Sequence, residues 1–326
     1  MKGFPPQVQK ITYPSSADQS QQPALFFQAS KDPKQKRPLL VALHTWSGDY
    51  SQGGGKTYAR WCIDQGWSFI HPNFRGPNWT PEAMGSDLAV ADIISAVEYA
   101  KKNAAIDENR IYLIGVSGGG HASLLMAGRA PDIWAGVSAW CGISDIAQWH
   151  NETKQAKRGY WKHIEKSLGG DPNSDTKIKK QADHRSPLHW LDRAQKVNLD
   201  INHGITDGRS GSVPFSHSLH AFNQVLPTPS ADRITDENIL AAWTTGKATP
   251  LPQSLPLNDP LYGTRPPVYR KTSGNTRITL FQGGHEIIHL AALNWLANQR
   301  KGQNAIWDIK KVADLKTSAK ETQSGK

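Results

Sequence analysis

Cysteine is almost missing from this chain of 326 residues, which carries only Cys62 and Cys141. The two lie in unrelated segments, with neither a CxxC spacing nor a neighbourhood of metal-ligating residues. A disulfide-stapled scaffold and a zinc module are thereby excluded, and the expectation is two buried thiols, with a bond between them as the alternative. Long apolar runs are also lacking. None approaches the roughly 20 residues that a membrane-crossing helix needs, so no membrane partner is expected. The first residues, Met1 to Pro6, have no apolar core of the kind a signal peptide carries. The expected compartment is therefore cytoplasmic, or secreted or periplasmic where a signal has been removed. Acidic residues are the minority charge, 28 against 38 Lys and Arg, giving a net charge of +10. The basic residues are scattered, the densest stretch running from Lys154 through Lys157, Arg158, Lys162 and Lys166 to Lys180. With no nucleic-acid motif beside them they read as a solvated face, and no nucleic-acid partner is expected.

What is present is a chain 37% hydrophobic, with 28 Gly and 21 Pro, the composition of a loop-rich globular protein. From about residue 38 to residue 300, apolar strand-like runs alternate with helical patterns, and no repeat interrupts them. That alternation predicts an α/β fold, a doubly wound and mostly parallel sheet with helices on both faces. Strands are expected at 38–44, 67–73, 110–116, 133–141, 198–203 and 277–282, with helices at 56–65, 85–103, 118–129 and about 287–298. Ser86 is the expected cap of the second helix. The first thirty residues read as edge strands. The chain to residue 307 is expected to form one domain, and the tail 308–326 is too polar and too rich in small residues to pack well. Two stretches exceed what a minimal sheet needs, 146–196 and the Pro-rich 226–275; both read as cap or rim elements over a site.

Gly115-Val-Ser117-Gly-Gly119 fits G-x-S-x-G, and its setting gives it weight, since a strand ends at Val116 and a helix starts at Gly118. A serine in so sharp a turn needs small residues on either side, and the turn lifts Oγ clear of the sheet beside a helix N-terminus. This is the nucleophile elbow of an α/β-hydrolase. A serine hydroxyl needs a base, and the base needs an orienting carboxylate, in the chain order Ser, acid, His. Among twelve histidines, His285 follows the last strand in a glycine-bearing loop and is the expected base. His289, one turn later, is the runner-up but reads better as a helix-surface residue, and His121 is expected to point away. Asp207, after the strand ending at His203, is the expected acid, with Asp145 as the alternative. The backbone N–H groups of Gly118 and Trp46 are expected to form the oxyanion hole. This chemistry calls for no cofactor and no metal.

These residues resemble the catalytic domain of the prolyl oligopeptidase (S9) family and the esterases related to it. The matching segments run in order: Asn73-Phe-Arg-Gly76, Asp87 to Tyr99 with Asp92, Ile106-Asp-Glu-Asn-Arg-Ile, Ser186-Pro-Leu-His189, His203-Gly with Asp207 and Val213-Pro214, and Gly283-Gly-His285-Glu286. The resemblance implies the triad Ser117, Asp207 and His285, which the chemistry had already proposed. It departs from the family in having fewer than forty residues before the first central strand, where the family's peptidases carry a β-propeller, and in extra residues between Asp207 and Val213. The expectation therefore shifts from peptides towards acetyl, feruloyl or similar small acyl esters, carried on a small molecule or a saccharide. The second reading is an aminopeptidase, for which Glu82, Glu152 and Glu165 are the nearby carboxylates that could take a free amine. A non-catalytic binding member of the fold is the third. Twelve tryptophans offer flat rings for sugars or aromatic acyl groups. Trp46, Trp79 and Trp149 are expected to line the site, and His44 to contact substrate.

Overall fold

The apolar runs become central strands because both of their faces are covered. The computed structural model describes residues 3–252, 255–309 and 311–315. Its elements run β1 (Gln9–Pro14), β2 (Gln21–Phe27), β3 (Arg37–Leu43), α1 (Gly55–Gln65), β4 (Ser68–Pro72), α2 (Asp87–Asn103), β5 (Ile106–Val116), α3 (Gly118–Arg129) and β6 (Gly136–Trp140). There follow α4 (Ile146–Gln155), α5 (Tyr160–Leu168), α6 (Thr176–His184), β7 (Leu199–Gly204), α7 (Ser216–Val225), α8 (Asp236–Thr245), β8 (Pro267–Ser273), β9 (Thr276–Phe281) and α9 (His289–Ala297). One sheet orders the strands β1-β2-β4-β3-β5-β6-β7-β9-β8. Pairs β1–β2, β2–β4 and β8–β9 are antiparallel, and the rest are parallel. This is the expected α/β-hydrolase architecture.

Side chains of β3 alternate between two cores, as the two-residue period of a strand requires. Leu39, Val41 and Leu43 pack with α2, α3 and α7, while Leu40 and Ala42 pack with α1 and α9. Ser86 caps α2, its Oγ accepting the Ala89 N–H at 3.1 Å. Arg75, at φ 76°, reaches from the β4–α2 loop to Asp92, buried on α2, through hydrogen bonds of 2.8 and 3.0 Å. Removing Arg75 would leave the buried Asp92 carboxylate without its cation. Cys62 and Cys141 are free and buried.

Three expectations need correction. Strand β8 lies within the stretch read as an irregular excursion. It pairs with β9 through Gly274-Asn275, with Gly274 at φ 54°, and a Gly-Asn pair between two short runs is a hairpin signal that the surrounding prolines obscured. Helix α7 was also unforeseen. The tail packs as far as it is described: Ile309, Ala313 and Leu315 lie against the core of α1 and α9, and Asn294 Nδ2 donates to Ala313 O at 3.0 Å. Residues 310 and 316–326 of that tail lie outside the described residues, as do 253 and 254 of the Pro-rich stretch.

Buried imidazoles, His71 and His121 among them, make this fold acid-sensitive. Burial holds His71 down to about 3 and His121 down to about 4, the latter despite its 2.8 Å contact with the Arg185 carbonyl. An unfolded histidine titrates near ~6.5. As pH falls from about 6.5 towards 4 the unfolded chain therefore takes up protons that the folded chain does not, so stability is fully present above this window and is lost within it. Denaturant unfolding followed across that range should show stability falling with a slope approaching ~1.4 kcal/mol per pH unit for each imidazole, and His121→Gln should flatten it.

Candidate active site

Three loops at the carboxyl ends of β5, β7 and β9 carry Ser117, Asp207 and His285 to one edge of the sheet, where α/β proteins place their sites. Ser117 sits at φ 61°, ψ −120°, a strained conformation for a residue with a side chain. Close packing explains its flanking glycines. A Cβ on Gly115 would stand 2.2 Å from Gly119 O, and one on Gly119 would stand 2.6 Å from Leu43 O. The Ser117 N–H donates to Trp140 O at 2.9 Å, tying the turn to β6.

The backbone of Trp46 presses against Gly118, where a Cβ would stand 2.4 Å from Trp46 N. Among the described residues neither the Trp46 nor the Gly118 N–H has an acceptor. Two amides side by side next to a serine hydroxyl, at the start of α3, form a pocket suited to an oxyanion.

Asp207 is fully buried and accepts four hydrogen bonds. Oδ2 takes His285 Nδ1–H at 2.6 Å and His203 Nε2–H at 3.0 Å, while Oδ1 takes the N–H groups of Gly208 at 2.8 Å and Val213 at 3.2 Å. Burial alone would raise its pKa, but the hydrogen bonds from His203 and His285 hold the carboxyl well below the usual range. Ser218 fixes His203 from behind, with 2.7 Å between Oγ and Nδ1. His285 therefore carries its proton on Nδ1 and offers the Nε2 lone pair. Among the described residues no hydrogen bond joins Nε2 to Ser117; Ser212 Oγ lies 3.4 Å from it instead. Asp145, the alternative acid, caps α4 by accepting Gln148 N–H at 2.9 Å.

Ser117 and His285 open into one cavity of about 450 Å³, lined also by Thr45, Trp46, Ser47, Glu286, Ile287, His289 and Tyr160 of α5. Hollows of about 520 and 560 Å³ border β8 and hold no such serine and histidine. Of the expected substrate contacts only Trp46 lines the cavity. Trp149 is buried behind it, edge-on to Trp46 at 4.7 Å. Trp79 packs on His163 at 5.1 Å, and the His44 ring is buried, stacked on Phe74 at 3.9 Å with its nitrogens turned to backbone carbonyls. Each of these three rings has a packing partner, and none is among the cavity's lining residues.

His289, read as a surface residue, is part of the cavity wall, and burial pulls its pKa down to about 4. The 146–196 excursion forms a rim through Tyr160, whereas the described residues of 226–275 contribute none of the cavity's lining and back the acid loop instead, with Arg209 stacked over Trp243 at 4.6 Å. The parts played by Tyr160, Ser212 and His203 were not foreseen from the sequence, although the spacing of His203, at the end of β7, to Asp207 was visible.

Two clusters have ligand atoms close enough for a metal: Cys141, His203 and Asp207, and His150, Glu165 and Asp171. In the first, Asp207 Oδ2 already serves two imidazoles; in the second, Lys154 Nζ lies 3.4 Å from Glu165 and 3.0 Å from Asp171.

Such a strand–serine–helix elbow, facing an acid-backed histidine and two amides, defines an α/β-hydrolase of the serine type. Residues 57–231 match the model of the prolyl oligopeptidase family of S9 peptidases, and the chain belongs to that family. Dipeptidyl aminopeptidase BIII of Pseudoxanthomonas mexicana is 30% identical over 283 residues, 75% of this chain and 37% of that protein. Feruloyl esterase B of Thermothelomyces thermophilus is 26% identical over 117 residues, 33% of this chain and 40% of that protein. The solved acylaminoacyl peptidase of Pyrococcus horikoshii superposes with a TM-score of 0.54 at 17% identity, over 69% of this chain and 35% of that one, a likeness of fold. The chain thus spans well under two thirds of each relative's length.

Gly211 tests how closely acid and base are held, because a Cβ there would stand 2.0 Å from Asp207 Oδ1 and 2.8 Å from His285 Cβ. Gly211→Ala should push the two apart and lower kcat by ~10²-fold, the cost of a misplacement near 1 Å. Steady-state turnover and a thermal melt would check this, with most of the folding stability retained.

Proposed function

We propose that this protein hydrolyses carboxylic esters through an acyl-enzyme. Ser117 Oγ attacks the carbonyl carbon as His285 Nε2 takes its proton. Asp207 stabilises the imidazolium, and the Gly118 and Trp46 N–H groups receive the carbonyl oxygen as it becomes an oxyanion. The C–O bond then breaks, and Nε2 gives its proton to the departing alcohol. Water attacks the acyl carbon, Nε2 takes the water's proton, and Ser117 leaves with that proton restored.

The observation that carries the ester reading is the state of the acidic residues. A free substrate amine would need an unpaired carboxylate facing Ser117. Glu286 is the sole acidic side chain among the described residues lining the cavity, and its Oε1 accepts from Arg265 Nε at 3.0 Å and Gly284 N–H at 3.2 Å. Glu152 is bound to His217 and Glu165 to His150, each at 2.9 Å. Glu82 is exposed and absent from the lining. Trp46, Tyr160 and Ile287 offer flat and apolar walls for a small or aromatic acyl group, on a small alcohol or a saccharide. The partial likeness to a feruloyl esterase supports this choice. Peptide hydrolysis by the same residues is the second reading, supported by the similarity to a dipeptidyl aminopeptidase over most of this chain.

A fluorophosphonate should label the wild-type protein at Ser117, and Ser117→Ala should abolish the label and reduce turnover by ~10⁴-fold or more. An unlabelled, folded wild type would refute the serine mechanism. Turnover of p-nitrophenyl acetate should exceed that of an aminoacyl anilide, and the opposite ranking would favour the peptidase reading.

A further inference from the structure

The hydroxyl that touches the base in the resting protein belongs to Ser212. Its Oγ lies 3.4 Å from His285 Nε2, the nitrogen that has to accept and return the proton. Several independent contacts hold it there. The next residue, Val213, donates its backbone N–H to Asp207 Oδ1, so the loop is registered on the acid itself. The carbonyl of Ser212 accepts the indole N–H of buried Trp149 at 2.9 Å. Arg158 Nη2 reaches the carbonyls of Gly208 and Arg209 at 3.4 and 3.2 Å. Gly211 has no room for a side chain against Asp207 and His285. A loop built so tightly on both acid and base presents one polar side chain to the base.

We infer that Ser212 is a positioning residue for the reaction proposed above, on which this inference rests. A hydroxyl can donate or accept. In the resting protein, Ser212 Oγ–H donates to the Nε2 lone pair across 3.4 Å, a long contact that yields when Ser117 Oγ–H takes its place. Once Nε2 has taken the Ser117 proton, Ser212 Oγ turns to accept from the Nε2–H, and a hydrogen bond to a charged donor is the stronger of the two. The transition state is therefore held better than the resting state, which raises kcat with little effect on binding.

Ser212→Ala should lower kcat for p-nitrophenyl acetate about tenfold, the low end for losing a hydrogen bond to a charged group, while KM changes less than about twofold and the melting temperature stays near wild type. Ser212→Thr restores a hydroxyl and should recover most of the loss, which a purely structural role would not produce. Ser212→Ala turning over at the wild-type rate, or Ser212→Thr as slow as Ser212→Ala, would overturn the assignment. Fluorophosphonate labelling of the wild type separates the two levels: a labelled wild type with an unaffected Ser212→Ala removes only the role of Ser212, while an unlabelled wild type removes the hydrolase reading and this role together.

Discussion

A single buried carboxylate organises this site. Asp207 is fully buried, and an ionised carboxylate in such a place is tolerated only when its oxygens are fully used. Two imidazoles and two backbone N–H groups use them. Each of those donors is thereby fixed: His285 in its tautomer, His203 in its orientation, and the loop from Gly208 to Val213 in its path. The charge that would serve the imidazolium is also what folds the loop beside it.

The two long excursions gain a purpose from that constraint. The extra residues after Asp207 could not hold their shape alone, since a loop of glycine and serine is entropically expensive to order. Trp149 and Arg158 grip it from the 146–196 segment, and Trp243 closes over Arg209 from the 226–275 segment. The first also reaches the cavity through Tyr160, whereas the second acts from behind. Insertions in an α/β-hydrolase thus shape the site through the acid loop as well as through a cap.

Much of the fold was legible in the sequence because buried parallel strands are short, apolar and separated by helices with a clear period. The elbow was legible for a different reason: a strained serine turn admits little besides glycine at its flanks, so the backbone geometry is written in residue types. Strand β8 was not legible, since an edge strand needs only one apolar face and its neighbours are prolines. The aromatic residues misled in one direction. Trp149 and His44 read as binding rings, yet each is buried, where a large flat surface is as useful to packing as to a substrate.

The sequence by itself determined the candidate nucleophile, its glycine-lined turn, the central strands with the helices between them, and the family, because each of these is written in short runs of residue types along the chain. Only the tertiary structure decided which carboxylates are spent on neighbours, which aromatic rings reach the cavity, and that Ser212 rather than Ser117 meets the base at rest. Those outcomes depend on which distant residues the fold brings within a few ångströms of one another. No spacing along the chain encodes that distance.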